Sequence, residues 1–122
     1  MFRLVYVSKI NQPLFDSTAL ANILAKAREK NAELNITGML ICNYVHFLQA
    51  LEGDENAVRD LYTTIAQDPR HTDVVLLSET ACEERLFGNW RMGFSSLESS
   101  DTQDLSLLCG ESALELLLAN VK

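Results

Sequence analysis

Gln49 stands inside an apolar run, Phe47-Leu48-Gln49-Ala50-Leu51. A neutral amide buried there costs free energy unless its donor and acceptor groups find partners. Either the fold satisfies it quietly, or something polar binds beside it. Tyr6, in Leu4-Val5-Tyr6-Val7, and Met92, in Arg91-Met92-Gly93-Phe94, occupy comparable apolar stretches, and Asn31 closes a helical pattern. A phenol and an amide within reach of each other share a hydrogen bond, and the amide has a second group left to use. No Ser/His/Asp or Cys/His spacing, metal cluster or glycine-rich phosphate loop after a strand is visible in the sequence.

The elements that must position these residues follow from periodicity. Phe2 to Lys9 alternates as a strand, with Leu4, Tyr6 and Ser8 on one face and Arg3, Val5 and Val7 on the other. Asp16 or Ser17 caps a helix running to about Asn31, with Leu20, Ile23, Leu24 and Ala27 as its apolar stripe. Lys26, Glu29 and Lys30 fall outside that stripe, and Arg28 at its edge. Two apolar runs, Ile36 to Cys42 and Val45 to Leu51, flank Asn43-Tyr44 and form a β-hairpin. A second helix opens at Asp54 or Glu55, carries Val58, Leu61, Tyr62 and Ile65, and stops before Pro69. Val74 to Leu77 and Arg91 to Leu97 read as strands, with a short helical turn from Glu83 to Phe87 between them. Leu105 to Leu108 and the run after Gly110 suggest one or two C-terminal helices.

This βαββαββ order predicts a ferredoxin-like α+β sandwich: a five-stranded mixed sheet, two helices on one face and short C-terminal helices on the other. The expected division is a core over 1–97 and a helical extension over 98–122. Tyr6, Gln49 and Met92 then share the helix-covered face, so a slot between the helices has Tyr6 and Gln49 as its polar floor and Asn31 as its rim. A planar, amide-bearing heterocycle fits such a slot. On the opposite face Val5, Val7, Met39, Ile41, Leu48 and Ala50 are too apolar to meet water. The C-terminal leucines or another subunit must cover them, and a homo-oligomer is expected.

Composition narrows the function. The chain has 122 residues, 48% of them apolar, enough for one domain with a real core. The formal net charge of −7 argues against nucleic acid as a direct partner. No apolar run approaches the ~18 residues of a membrane span, and no basic segment leads into a signal-like apolar one. A cytoplasmic location is expected. Cys42, Cys82 and Cys109 are odd in number and widely spaced, as free thiols are.

An ordered set of segments resembles a known family. It comprises Leu4-Val5-Tyr6 with Ser8, Asn31 followed by Ile36-Thr37-Gly38, and Phe47-Leu48-Gln49-Ala50-Leu51-Glu52-Gly53. Asp68-Pro69-Arg70-His71 and Phe87 with Trp90-Arg91-Met92 complete it. Together they are similar to a BLUF domain, the blue-light sensor using FAD, of the short stand-alone type, from Phe2 to about Leu97. The resemblance implies a photoreceptor, not an enzyme, with FAD (FMN being the alternative) held non-covalently between the two helices. It implies that Tyr6 donates an electron and then a proton to the photoexcited flavin, and that Gln49 is left rotated or tautomerised with a new hydrogen bond to the flavin. It implies that Asn31 binds a flavin carbonyl edge, that Asp68, Arg70 and His71 lie near the ring's pyrimidine side, and that Trp90 or Met92 senses Gln49 and leads toward the C-terminal helices. The family often carries a cation near Thr64; threonine offers none, and Arg28 is the expected substitute. Output is expected through a separate downstream protein, or through the rest of a longer chain.

Each residue also has a purely structural reading. Tyr6 and Met92 are ordinary core residues. Asn31 is a good helix C-cap. Asp68-Pro69 is a helix stop, and Arg70-His71 a solvated turn. The alternative function is therefore a flavin-free small-molecule or protein-binding module on the same fold. An acylphosphatase-like hydrolase is disfavoured, because the loop from Ser8 to Leu14 has no arginine and no glycine.

Overall fold

In the computed structural model, residues 1–11, 17–43, 45–88, 91–96 and 109–119 are described. The elements are β1 (Phe2–Ile10), α1 (Ser17–Leu34), β2 (Thr37–Cys42), β3 (His46–Gly53), α2 (Glu55–Ala66), β4 (His71–Ala81), β5 (Gly93–Ser96) and α3 (Gly110–Ala119). The five strands form one sheet in the order β4-β1-β3-β2-β5. All neighbours are antiparallel except β2 and β5, which are parallel. This is the mixed ferredoxin-like sandwich expected from the element order.

Strand alternation sorts the core into two layers. Leu4, Tyr6, Leu40, Phe47 and Leu51 point to the face that α1 and α2 cover with Ile23, Leu24, Ala27, Leu61, Tyr62 and Ile65. Val5, Val7, Met39, Ile41, Leu48 and Ala50 point to the other. There Phe87 and the α3 residues Ala113 and Leu117, four apart on one helical face, bury them. Gly38 is required by this packing: a Cβ would stand 2.2 Å from the Ala50 carbonyl oxygen on the neighbouring strand.

Four boundaries differ from the sequence reading. Helix α1 continues past Asn31 to Leu34. Its end is a Schellman arrangement: Ile36 N–H donates to the Asn31 carbonyl at 2.8 Å and Asn35 N–H to Ala32 at 3.4 Å. Asn35 takes the left-handed conformation, φ 55°, that this cap needs and that asparagine tolerates. Strand β4 runs well beyond Val74–Leu77, because it is an edge strand whose polar residues pair with β1 without being buried. Strand β5 begins only at Gly93. The turn expected from Glu83 to Phe87 is not helical. The amides of Leu86 and Phe87 instead donate to the Glu52 carboxylate at 2.8 and 2.9 Å. Residues 97–108 and Trp90 lie outside the described residues.

Glu52 is fully buried. It also accepts from Arg3 Nε at 2.9 Å and from the Thr37 hydroxyl at 3.3 Å. Arg3 and Thr37 are its cross-strand neighbours on β1 and β2. A buried carboxylate is tolerated only when so completely partnered, and removing it leaves both amides without an acceptor and the Arg3 cation without its counter-charge, with only the Glu84 carbonyl at 3.0 Å. Glu52→Ala is expected to cost about 3–5 kcal/mol of stability, measured from urea unfolding midpoints. A loss below about 1 kcal/mol would show that the carboxylate is not the anchor of this corner.

Candidate functional site

Strand register brings the first two residues together. Tyr6 stands directly opposite Gln49 in the β1–β3 ladder. Both are nearly excluded from solvent. The Tyr6 hydroxyl donates to Gln49 Oε1. The other end of the same amide, Nε2, donates to Met92 Sδ at 3.3 Å. A continuous chain therefore runs phenol, amide, thioether across the floor of the helix-covered face. The Tyr62 ring, 5.5 Å from that of Tyr6 between centroids, closes the phenol from the α2 side.

Burial dominates the acid–base behaviour of Tyr6. Desolvation, helped by the Tyr62 and Asp68 charges, pushes its pKa far above the ordinary tyrosine value. The phenol therefore holds its proton, and its donor role, to higher pH than an exposed tyrosine.

Above this floor lies a cavity of about 670 Å³, within the usual range for a small-molecule site. Its walls are aliphatic, with Ile23, Ala27 and Leu34 from α1 facing Ala57, Leu61 and Ile65 from α2. Tyr6, Gln49 and Met92 line it from below. Asn31, which the longer α1 places inside the helix, lines it too. Asn31 Nδ2 donates to the Arg91 carbonyl at 2.5 Å. Its Oδ1 is buried and has no hydrogen-bond partner among the described residues. A buried acceptor without a partner, on a residue that lines a cavity, is a group for which a bound molecule could supply the donor.

One end of the cavity is polar. Asp68 and Arg70 form an ion pair there, with Arg70 Nη2 2.6 Å from Asp68 Oδ2. The Arg70 guanidinium holds the Asp68 carboxyl below its usual range. His71 lines the same end, but both ring nitrogens are committed. Nε2 is 2.5 Å from the Ile65 carbonyl and must donate to it, so in a neutral ring Nδ1 accepts from the Ser8 hydroxyl at 2.7 Å. What His71 has left for a ligand is its ring face and edge.

Arg28 does not line the cavity. Its Nε donates to the Met92 carbonyl at 3.2 Å. Arg28, expected as the cation facing the ligand, is thus directed here toward the segment before β5. Lys26, Glu29 and Lys30, outside the apolar stripe of α1, also line the cavity, as do Asp60 and Thr64 from α2. The slot is a wedge between two helices, so residues flanking each apolar stripe also meet it. The spacing of Lys26 and Lys30, four apart and beside Ala27 and Asn31, is the signal for this.

A family model described as BLUF, sensors of blue-light using FAD, matches residues 1–93. The chain belongs to the BLUF family. It is 40% identical over 84 residues to the photoactivated adenylate cyclase subunit beta of Euglena longa, covering 69% of this chain and 10% of that protein. It is 34% identical over 86 residues to the blue light- and temperature-regulated antirepressor BluF of Escherichia coli (strain K12), covering 70% of this chain and 21% of that protein. The chain thus spans about a tenth to a fifth of the length of these relatives. The solved structure titled "BlsA photo-activated state" superposes with a TM-score of 0.89 at 27% identity, covering 99% of this chain and 96% of that one.

BLUF domains sense blue light with a bound flavin, FAD, and the BLUF module is a sensor, not an enzyme. The residues present fit that group: an aliphatic slot for a flat ring, a buried and unpartnered acceptor on Asn31, and the buried Gln49 amide on the same lining. Among the described residues no three His, Cys, Asp or Glu converge on a metal-sized site. No described helix is long and apolar enough to cross a membrane.

Two expectations follow. In unfolded chain Tyr6 ionises near pH 10, whereas in the fold it stays protonated to higher pH. Stability is therefore full below pH ~10 and falls as pH rises above it, because the unfolded chain then binds fewer protons. Urea midpoints at pH 9 and 11 should fall less steeply in Tyr6→Phe than in the unsubstituted chain; equal slopes would mean that Tyr6 ionises normally. Separately, Asn31→Leu is expected to weaken flavin binding by roughly tenfold, measured by fluorescence titration, and an unchanged affinity would show that the open Oδ1 faces no ligand donor.

Proposed function

We propose that this BLUF module detects blue light by rearranging the hydrogen-bond chain Tyr6–Gln49–Met92, and that the rearrangement passes through Met92 to a downstream partner. The bound flavin supplies blue-light absorption and a strongly oxidising excited state. The chain's own residues supply the rest. Tyr6 gives up an electron and then its phenolic proton and later takes both back, so no net redox change remains. While the Tyr6 oxygen lacks its proton it accepts rather than donates. Gln49 then gains nothing by presenting Oε1 to it. Turning the amide over, or shifting it to its imidic tautomer, exchanges its donor and acceptor ends. Gln49 would keep the new arrangement after Tyr6 is restored, presenting a different hydrogen-bonding group to the slot, and a flavin held there would absorb further to the red.

The observation that carries this reading is that one amide joins a buried phenol to a buried thioether beneath the cavity. A solvent-exposed amide would exchange these partners with water. In the low dielectric of a closed floor, losing one partner is costly enough to make two arrangements distinct. Asn31 holds the flavin's polar edge through its open Oδ1. Asp68, Arg70 and His71 bound the polar end of the slot, with His71 offering its ring rather than a nitrogen. Lys26 and Lys30, rather than Arg28 or Thr64, are the cations at the rim.

The change at Gln49 deprives Met92 Sδ of its donor. Met92 immediately precedes β5, and Trp90 two residues earlier completes the sensing segment. Helix α3, within the 98–122 extension, covers the sheet face opposite the flavin slot. It is the surface from which a partner would read the state. The names of the relatives, a photoactivated cyclase and a light-regulated antirepressor, support output through an effector, on the same chain or a separate protein.

An absorption spectrum before and after blue illumination tests the reading. A flavin band that shifts red by a small amount and recovers in darkness is expected. Gln49→Ala should keep the colour and lose the shift. A band that bleaches or moves to the blue, or a colourless protein that takes up no added FAD, would overturn it.

A further inference from the structure

Arg91 and Met92 are held from α1 rather than by the sheet. Arg28 Nε donates to the Met92 carbonyl at 3.2 Å and Asn31 Nδ2 to the Arg91 carbonyl at 2.5 Å. The Arg91 guanidinium returns the contact, donating to Asn35 Oδ1 at 3.2 Å and to the Ile36 carbonyl at 3.4 Å. The β2–β5 ladder begins only after this point, with Met39 opposite Gly93. Nothing in the ladder therefore fixes where the Met92 side chain sits.

That position matters because the Gln49–Met92 contact is weak. A thioether sulfur is a poor acceptor, so a 3.3 Å contact from Gln49 Nε2 adds little direction to a methionine that is otherwise held by apolar packing in the core. A guanidinium donor on a backbone carbonyl is roughly twice as strong as a neutral hydrogen bond. Asn31 also lines the cavity and serves the ligand, whereas Arg28 does not line it. Of the two α1 donors on this segment, Arg28 is the one that does not line the cavity.

We propose that Arg28 is a positioning residue of the light switch: it holds Met92 against Gln49 and thereby sets how long the switched state lasts. This rests on the Tyr6–Gln49–Met92 reading above. In the unswitched state the Arg28 clip presents the sulfur to Gln49 Nε2. When Gln49 turns, Met92 loses that donor, and the clip keeps the sulfur close for the return. Without the clip Met92 moves away, and recovery must wait for it to come back.

The test uses the flavin-loaded full chain, labelled at the methionine methyl groups. There are three methionines, Met1, Met39 and Met92, so three methyl signals report. In the dark, Arg28→Ala should move or broaden the Met92 signal and leave Met39 unchanged, and Arg28→Lys, which keeps a cationic donor, should restore it. After a blue pulse, Arg28→Ala should show the full red shift and recover at least about threefold more slowly. In a Met92→Ala background the same substitution should add less than about 1.5-fold, because its target is gone. Recovery within about 1.5-fold of the unsubstituted chain, an additive effect beside Met92→Ala, or a loss of flavin occupancy in Arg28→Ala would each overturn the proposal. A missing red shift in the unsubstituted chain would overturn the switch reading and the kinetic role with it. The dark methyl spectrum separates that failure from a failure of the Arg28 hold.

Discussion

Because Tyr6 stands opposite Gln49 in the ladder, the phenol and the amide meet without any loop having to place them. A one-residue slip between β1 and β3 would turn one of the two to the other face of the sheet and end the contact. In most sheets the hydrophobic pattern forbids such a slip, since it would expose the core face. Here it does not, because β3 is buried on both sides. Its slipped form would still bury apolar residues. Something else must pin the register.

Glu52 does so. Its carboxylate is bonded to Arg3 and Thr37, the residues directly opposite it on both neighbouring strands. Shifting either pairing by one residue would pull a buried charge from its partner, at a cost far above that of swapping one aliphatic contact for another. The same carboxylate takes the amides of Leu86 and Phe87, so it also anchors the loop that leads toward Arg91 and Met92. One buried acid thus fixes both the Tyr6–Gln49 pair and the approach of the chain to its third member. Arg85 reinforces the corner, with its guanidinium on Thr37 Oγ1, the Glu52 carbonyl and the Asn35 carbonyl.

The layers of the fold were legible in the sequence because they rest on period-2 and period-3.6 alternation, which survives in any context. Tyr6, Gln49 and Met92 could be assigned to one face by parity alone. What was not legible depends on long-range polar contacts. Nothing local marks residues 83–87 as non-helical, since the acceptor that claims their amides lies more than thirty residues earlier. Strand β4 was under-read because an edge strand pairs through its backbone and need not bury its side chains. Asn31 looked like a helix end because asparagine is a good cap, yet Asn35, four residues on, takes that role. That Lys26 and Lys30 line the cavity while exposed was not legible, because a stripe assigns a helix one partner, whereas α1 meets both a sheet and a cavity.

The reassignment of Arg28 changes what kind of device the site is. Had Arg28 faced the cavity, α1 would serve only as a wall for the flavin. Instead the helix contributes Asn31, with one end of its amide on the Arg91 carbonyl and the other open to the cavity, and Arg28, on the Met92 carbonyl. The segment before β5 is therefore tied to the ligand slot twice, through Gln49 by a side chain and through α1 by the backbone. The first tie is weak and reversible, and the second is charged and directional. On the proposed reading these are the two parts a switch needs: a contact that light breaks, and a frame that keeps the broken partners near enough to reform it.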